Sequence, residues 1–264
     1  MEPGDVRGAA TFRVSGRAYD RLVGRYSPRL AAALADAAGA RAGQAALDVG
    51  CGPGALTAEL AQRLGSARVS AVDPSGPFVK ECRTRVPGVD VREAPAEALP
   101  HADGSFDAVL AQLVLHFVTD PPLAVSEMRR VLRPGGVAAA CVWDFGSGMR
   151  VLRAFWDAAL ALDPQAPDEA TTMRFGRDGE IAALFRAGGL GEVASGALEV
   201  EAPYADFDDL WSGFTGGAGP AGAYCSSLDA AEQQALRDDL RARLGDPVGS
   251  FTLPARAWYA TGRR

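Results

Sequence analysis

With 264 residues, 48% of them hydrophobic and 23% charged, the chain can bury a sizeable core and is not composed like a disordered segment. A net charge of -6 and a pI near 5.1 argue against a broad nucleic-acid or anionic-membrane surface. Cys51, Cys82, Cys141 and Cys225 form no C-x-x-C pair, only His101 and His116 could join them, and no signal-like or membrane-length run appears, so no metal site and a cytoplasmic location with reduced thiols are expected.

Residues 1 to 15 read as frayed, within an N-terminal helical leader assigned to 1–40. Tyr19, Val23, Tyr26, Leu30 and Leu34 share one helical face, with Ser27-Pro28 restarting the helix as N-cap and first residue. A core assigned to 41–145 opens with the apolar run Ala45 to Val49, then glycines at Gly50, Gly52 and Gly54, then a helix on Leu56, Leu60 and Leu64 ended by Gly65. Further strands are expected at Arg68 to Val72, Asp90 to Glu93, Phe106 to Ala111 and Val137 to Trp143. The intervening helices are Ser75 to Arg85 and a Pro121-Pro122 helix with Leu123, Met128, Val131 and Leu132 inward.

The remainder, 146–264, reads as the end of the same sheet with helical cap insertions at 146–176 and 204–245. Its expected elements are a helix from Val151 to Leu162, one capped by Asp178, and a strand from Val193 to Val200. An aromatic helix follows on Phe207, Leu210, Trp211 and Phe214, then a glycine-rich loop through Gly222. A helix opened by the Asp229/Glu232 capping pair and a last strand, Phe251 to Tyr259, complete it; Pro254 implies a bulge or late entry into the ladder.

The order strand, glycine turn, helix sets backbone N–H groups and a helix N-terminus against a bound small molecule. Asp48, at the strand end, would repel a pyrophosphate and favour a cationic amine, while Asp73, at the next strand end, suits a ribose diol. A ligand with both an amino-acid and a nucleoside part, such as S-adenosylmethionine, answers both acids. The glycine turn and Asp73 alone would also serve a nicotinamide dinucleotide, so an NAD(P)-dependent oxidoreductase stays open on these residues.

Further motifs are Val72-Asp73-Pro74-Ser75, Ala96-Glu97-Ala98-Leu99-Pro100, Asp103-Gly104-Ser105-Phe106-Asp107 and Leu132-Arg133-Pro134-Gly135-Gly136. With Leu47 to Gly54, this ordered set, over roughly residues 15 to 145, resembles a class I S-adenosylmethionine-dependent methyltransferase of the bacterial small-molecule type. The resemblance implies an α/β, doubly wound, seven-stranded Rossmann-like sheet of order 3-2-1-4-5-7-6 with an antiparallel last strand. It also implies residue roles. Asp48 with Gly50, Cys51 and Gly52 would hold the amino-acid part and Asp73 the ribose. Ala96 and Glu97, with Pro74 and Leu99, would line the adenine, where Pro95 replaces the family's usual acid. Gln112 and Leu113 would pass the methionine end, and Tyr19 and Arg25 would face its carboxylate.

Asp120-Pro121-Pro122-Leu123 resembles a D-P-P-Y motif, but lies well past the fourth strand and reads as a helix start. Transfer from a sulfonium is an in-line displacement for which alignment supplies roughly 7–11 kcal/mol, so neither metal nor covalent nucleophile is required. His116, one helical turn beyond Gln112, is the candidate base, against the plainer reading of a packed histidine; Asp144 and Tyr224 are others. Trp143, Phe145, Trp156, Phe175, Trp211 and Tyr224 are candidate walls of an acceptor pocket, most of such a set being ordinary core. The expected partner is a small-molecule acceptor, with no nucleic acid or membrane. A catalytically silent S-adenosylmethionine-binding protein is the other alternative, and the sequence leaves acceptor and oligomeric state open.

Overall fold

The computed structural model describes residues 21–264. A short 3-10 turn, Gly24–Tyr26, runs into helix α1 (Ser27–Ala37), which buries Leu30, Ala31, Leu34 and Ala35. Ser27 is the first helical residue rather than the cap, and its side chain makes no capping bond. Strand β1 (Ala46–Val49) is buried throughout and leads through the glycine turn to α2 (Ala55–Leu64), whose Leu56, Leu60 and Leu64 form the buried stripe that their spacing predicts. Then come β2 (Val69–Asp73), α3 (Gly76–Arg85), β3 (Asp90–Glu93), β4 (Phe106–Gln112), α4 (Pro121–Val131) and β5 (Leu132–Trp143). The Asp120 carboxylate caps α4 by accepting the Leu123 N–H at 3.0 Å. Leu123 itself is 45% exposed; the inward face is Ala124, Val125, Met128 and Val131, and Leu132 already belongs to β5.

In the second half, α5 (Arg150–Leu162) and the single turn α6 (Glu169–Thr172) precede α7 (Glu180–Ala187). Gly179, at φ 79°, caps α7 in place of the expected Asp178. Strand β6 (Gly191–Tyr204), α8 (Phe207–Thr215), α9 (Gly219–Ser227), α10 (Ala230–Arg243) and β7 (Phe251–Arg263) complete the chain. Helix α9 stands where a loop was expected. Pro220 sits in its first turn, and Gly222 is required there because a Cβ would lie 2.7 Å from the Gly217 carbonyl carbon. The capping box opening α10 is present, with both Asp229 and Glu232 bonded to main-chain N–H groups at 2.8 to 2.9 Å.

The seven strands are ordered β3-β2-β1-β4-β5-β7-β6, with β7 antiparallel to both neighbours and the other pairs parallel. Helices cover both faces of the central strands, which accounts for their continuous apolar runs. Pro254 needs no bulge. The N–H and C=O of Arg256 both point toward β5, so Pro254 does too; β5 ends opposite Ala257, and no ladder bond is lost.

Sheet order reverses beside β1, between β2 and β4, and the crevice at the carboxyl ends of these strands is where a ligand fits an open α/β sheet. No helix among the described residues is long and apolar enough to cross a membrane.

Candidate active site

The glycine turn is held by main-chain bonds. Gly50 and Cys51 both donate to the Val72 carbonyl at 2.8 and 2.9 Å, tying the end of β1 to β2. Asp73 fixes the turns further: its Oδ2 accepts from Gly52 N–H and its Oδ1 from Ser75 N–H, each at 2.8 Å. Gly50 has φ 72°, and a Cβ there would lie 2.4 Å from Val114 Cγ2, so only glycine fits. A Cβ on Gly52 would meet open space instead, which leaves main chain facing the crevice. The crevice has a volume of about 490 Å³, within the range of small-molecule sites.

Asp48 governs its electrostatics. The side chain is fully buried, Oδ2 accepts the Thr57 hydroxyl at 2.6 Å, and Oδ1 has no partner among the described residues. Burial pushes its pKa up to about 7 and nearby Asp73 adds to the rise, while the Thr57 bonds oppose it. Asp73 is also raised by burial, against its two backbone bonds. Two more polar atoms in the crevice wall are buried without partners among the described residues, Ser27 Oγ and Gln112 Oε1; the amide nitrogen of Gln112 donates to the Ser27 carbonyl at 3.2 Å. Orphaned buried polar groups cost about 1–3 kcal/mol each, a cost a ligand can recover. An unpartnered carboxylate oxygen, a hydroxyl able to donate and an amide oxygen fit a group carrying both ammonium and carboxylate. Leu113, next in line, is held at φ 59° with its N–H on the Cys141 carbonyl at 2.9 Å, a left-handed conformation that costs leucine energy and recurs at functional sites.

Ten of the sequence-predicted cofactor residues lie together in the crevice wall: Asp48, Gly50, Cys51, Gly52, Asp73, Pro74, Ala96, Glu97, Gln112 and Leu113. Glu97 has a second task, accepting the N–H groups of Thr119 and Asp120 at 3.0 and 3.2 Å. Tyr19 lies outside the described residues. Arg25 is a correction. Its guanidinium pairs in bidentate fashion with Asp209 at 3.0 and 3.1 Å, donates to the Arg21 and Pro203 carbonyls, and sits 4.3 Å over the Tyr204 ring. It clamps the leader to α8 and the end of β6, alongside the Tyr26–Tyr204 hydroxyl contact at 3.1 Å, and leaves the crevice to Ser27. Leu99 likewise belongs to the core, and Phe78 on α3 supplies the crevice's apolar wall with Val118. The sequence reading missed Phe78, although its place one turn after Asp73-Pro74 was a usable signal; nothing in the sequence marked Ser27, Phe117 or Val118.

A smaller cavity of about 60 Å³ adjoins the crevice, sharing Leu113 and Phe117 with it. His116, Trp143 and Phe145 line this cavity, together with Glu169, which the sequence reading did not single out. His116 is buried, 3.9 Å from the Phe117 ring and 5.5 Å from Phe145; burial lowers its pKa to about 3, with Arg174 adding to the effect. Phe175 is elsewhere, in a hollow beside Asp144, whose carboxylate is taken by Arg256 and the Ser147 loop. Trp156, Trp211 and Tyr224 line neither the crevice nor the small cavity. Trp156 is core, with its indole donating to Glu169 at 2.8 Å, and the other two pack on it and on Phe214. They pack as ordinary apolar filling because long helices must bury one face.

The sheet order with its antiparallel β7, and a crevice at the β1 switch point walled by two strand-end acids, match the layout that the resemblance to class I S-adenosylmethionine-dependent methyltransferases implies. Residues 47–140 match the family described as "Methyltransferase domain". The chain is 37% identical over 145 residues to malonyl-[acyl-carrier protein] O-methyltransferase of Geobacter sulfurreducens, 54% of each protein being covered. It is 39% identical over 108 residues to a ubiquinone/menaquinone biosynthesis C-methyltransferase of Klebsiella pneumoniae, covering 38% of this chain and 43% of that one. The chain spans about half the length of the curated relatives it matches. Among solved structures, a type II methyltransferase candidate from Anaeromyxobacter dehalogenans superposes with a TM-score of 0.65 at 26% identity, over 96% of this chain and 98% of that one.

Proposed function

We propose that the chain transfers a methyl group from S-adenosylmethionine to a small-molecule acceptor. The observation that carries the reading is the buried Asp48 carboxylate with one oxygen unpartnered in the crevice wall, beside the unpartnered Ser27 Oγ and Gln112 Oε1. Asp48 would take the ammonium, and Ser27 and Gln112 the remaining polar atoms of the amino-acid end. Asp73 keeps lone pairs for the ribose hydroxyls beyond those spent on Gly52 and Ser75. Ala96, Pro74 and Phe78 would enclose the adenine.

When bound, the sulfonium supplies an activated methyl group. This chain's residues then align donor and acceptor and exclude water, so the rate comes from positioning. Helices α5, α6 and α8 to α10 are read as the cap over the acceptor, a role consistent with Ala218 to Ala221 and Glu169 lining the smaller cavity. The relatives' names divide between O- and C-methylation, and those activities are statements about those proteins.

Thermal shift with S-adenosylhomocysteine and, separately, NADH tests the cofactor; stabilisation by NADH alone would overturn the reading. Turnover against a panel of phenols, amines and indoles tests the transfer. Binding without turnover on any of them would favour a silent binding protein.

A further inference from the structure

The smaller cavity holds three polar groups that cofactor binding does not use. Trp143 Nε1 and His116 Nδ1 are both buried with no partner among the described residues, and the Glu169 carboxylate, 4% exposed, is reached by the Trp156 indole. The rest of the lining is apolar, including Leu22, Leu152 and Phe145, and such a wall gives no structural reason for an unpaired donor in the same cavity as a carboxylate. The cavity meets the crevice across Leu113 and Phe117, and its size admits the end of a molecule rather than a whole one.

We propose that this cavity receives a hydroxyl group of the acceptor, Glu169 being the catalytic residue that takes its proton while the Trp143 N–H holds the oxygen. The inference rests on the methyltransferase reading above. A hydroxyl answers this set because it donates one hydrogen bond, to Glu169, and keeps two lone pairs, one for the Trp143 N–H and one to attack. A protonated amine could not accept the indole N–H. In the step, the acceptor oxygen forms a bond to the methyl carbon, and the sulfur keeps the electron pair of the broken S–C bond. The hydroxyl proton passes to Glu169 and later to solvent, so an alcohol or phenol and a sulfonium become a methyl ether, a thioether and one proton.

The choice of Glu169 over His116 follows from their surroundings. Burial raises Glu169 to about 7, against the Trp156 bond and with Asp168 adding to the rise, and Asp168 is itself held by Arg153 at 2.8 Å. Burial holds His116 near 3, so its ring stays neutral and stores no proton at working pH.

The test titrates phenol and toluene into protein saturated with S-adenosylhomocysteine, following heat of binding. In the unaltered protein phenol should bind at least tenfold more tightly than toluene. Glu169→Gln should remove most of that preference while S-adenosylhomocysteine affinity stays within twofold, which also reports that the variant is folded. Trp143→Phe, which keeps the ring and loses only the N–H, should reduce the preference severalfold and decides the matter if Glu169→Gln does not fold. A phenol preference that is missing from the unaltered protein, or unchanged in the variants, overturns the proposal. Failure of the unaltered protein to bind S-adenosylhomocysteine would instead remove the methyltransferase reading beneath it.

Discussion

The crevice and the small cavity beside it are built by different means. The crevice is framed by turns after β1, β2 and β3, pinned by backbone bonds and by Asp73. The small cavity is lined by residues from distant segments: the leader, the segment after β4, the end of β5, α5, α6 and the start of α9. A site made of turns tolerates little change in backbone shape but depends on few side chains. A site made of distant side chains can be retuned one residue at a time, which suits a wall that must match an acceptor.

The sharpest way to break this contrast is Gly50→Ala. A methyl group 2.4 Å from Val114, at φ 72°, should cost about 2–4 kcal/mol in urea unfolding and abolish measurable S-adenosylhomocysteine binding. Adding Val114→Ala should recover only part, since the backbone strain remains.

Next in size is Asp48→Asn, which should lower S-adenosylhomocysteine affinity at least a hundredfold at pH 8 while raising the melting temperature of the ligand-free protein by several degrees. The sign follows from burial. With its pKa near 7, against an ordinary carboxylate near 4, folded Asp48 binds its proton more tightly than the unfolded chain does, so stability falls as pH rises from about 4 to 7. An asparagine does not titrate and escapes that loss, which reaches roughly 4 kcal/mol at most. Affinity of the unaltered protein for the cationic amine should rise with pH up to about 7 and then level off, measured by calorimetry from pH 5.5 to 8.5.

Arg25→Ala should cost about 2 kcal/mol of stability, because the partly buried Asp209 loses a bidentate partner, and should change S-adenosylhomocysteine affinity less than twofold. A large affinity loss with unchanged stability would return Arg25 to the cofactor site. Smallest of all, Tyr224→Phe should alter melting temperature by under about 1 °C and leave turnover intact, as fits a half-buried ring on Trp156.

These ranks follow what was legible in the sequence. The turn chemistry was, because glycine spacing and strand-end acids act over a few residues: Asp48, Gly50, Gly52 and Asp73 all line one crevice. The sheet order followed from the resemblance and is present. The cap was not legible to the same degree. Helix α9 hid behind its glycines, Arg25 found a partner 184 residues away, and Glu169 gave no local signal, its indole partner Trp156 lying 13 residues back on α5. Pairings over such separations leave no periodicity to read.

Leu113 belongs to both hollows, and its left-handed backbone has a further consequence. Glycine would relax this position yet widen the junction between the crevice and the small cavity, so relieving the kink would blur the border between them. A stabilisation campaign choosing substitutions by backbone comfort alone would select the change that merges two hollows the fold keeps distinct.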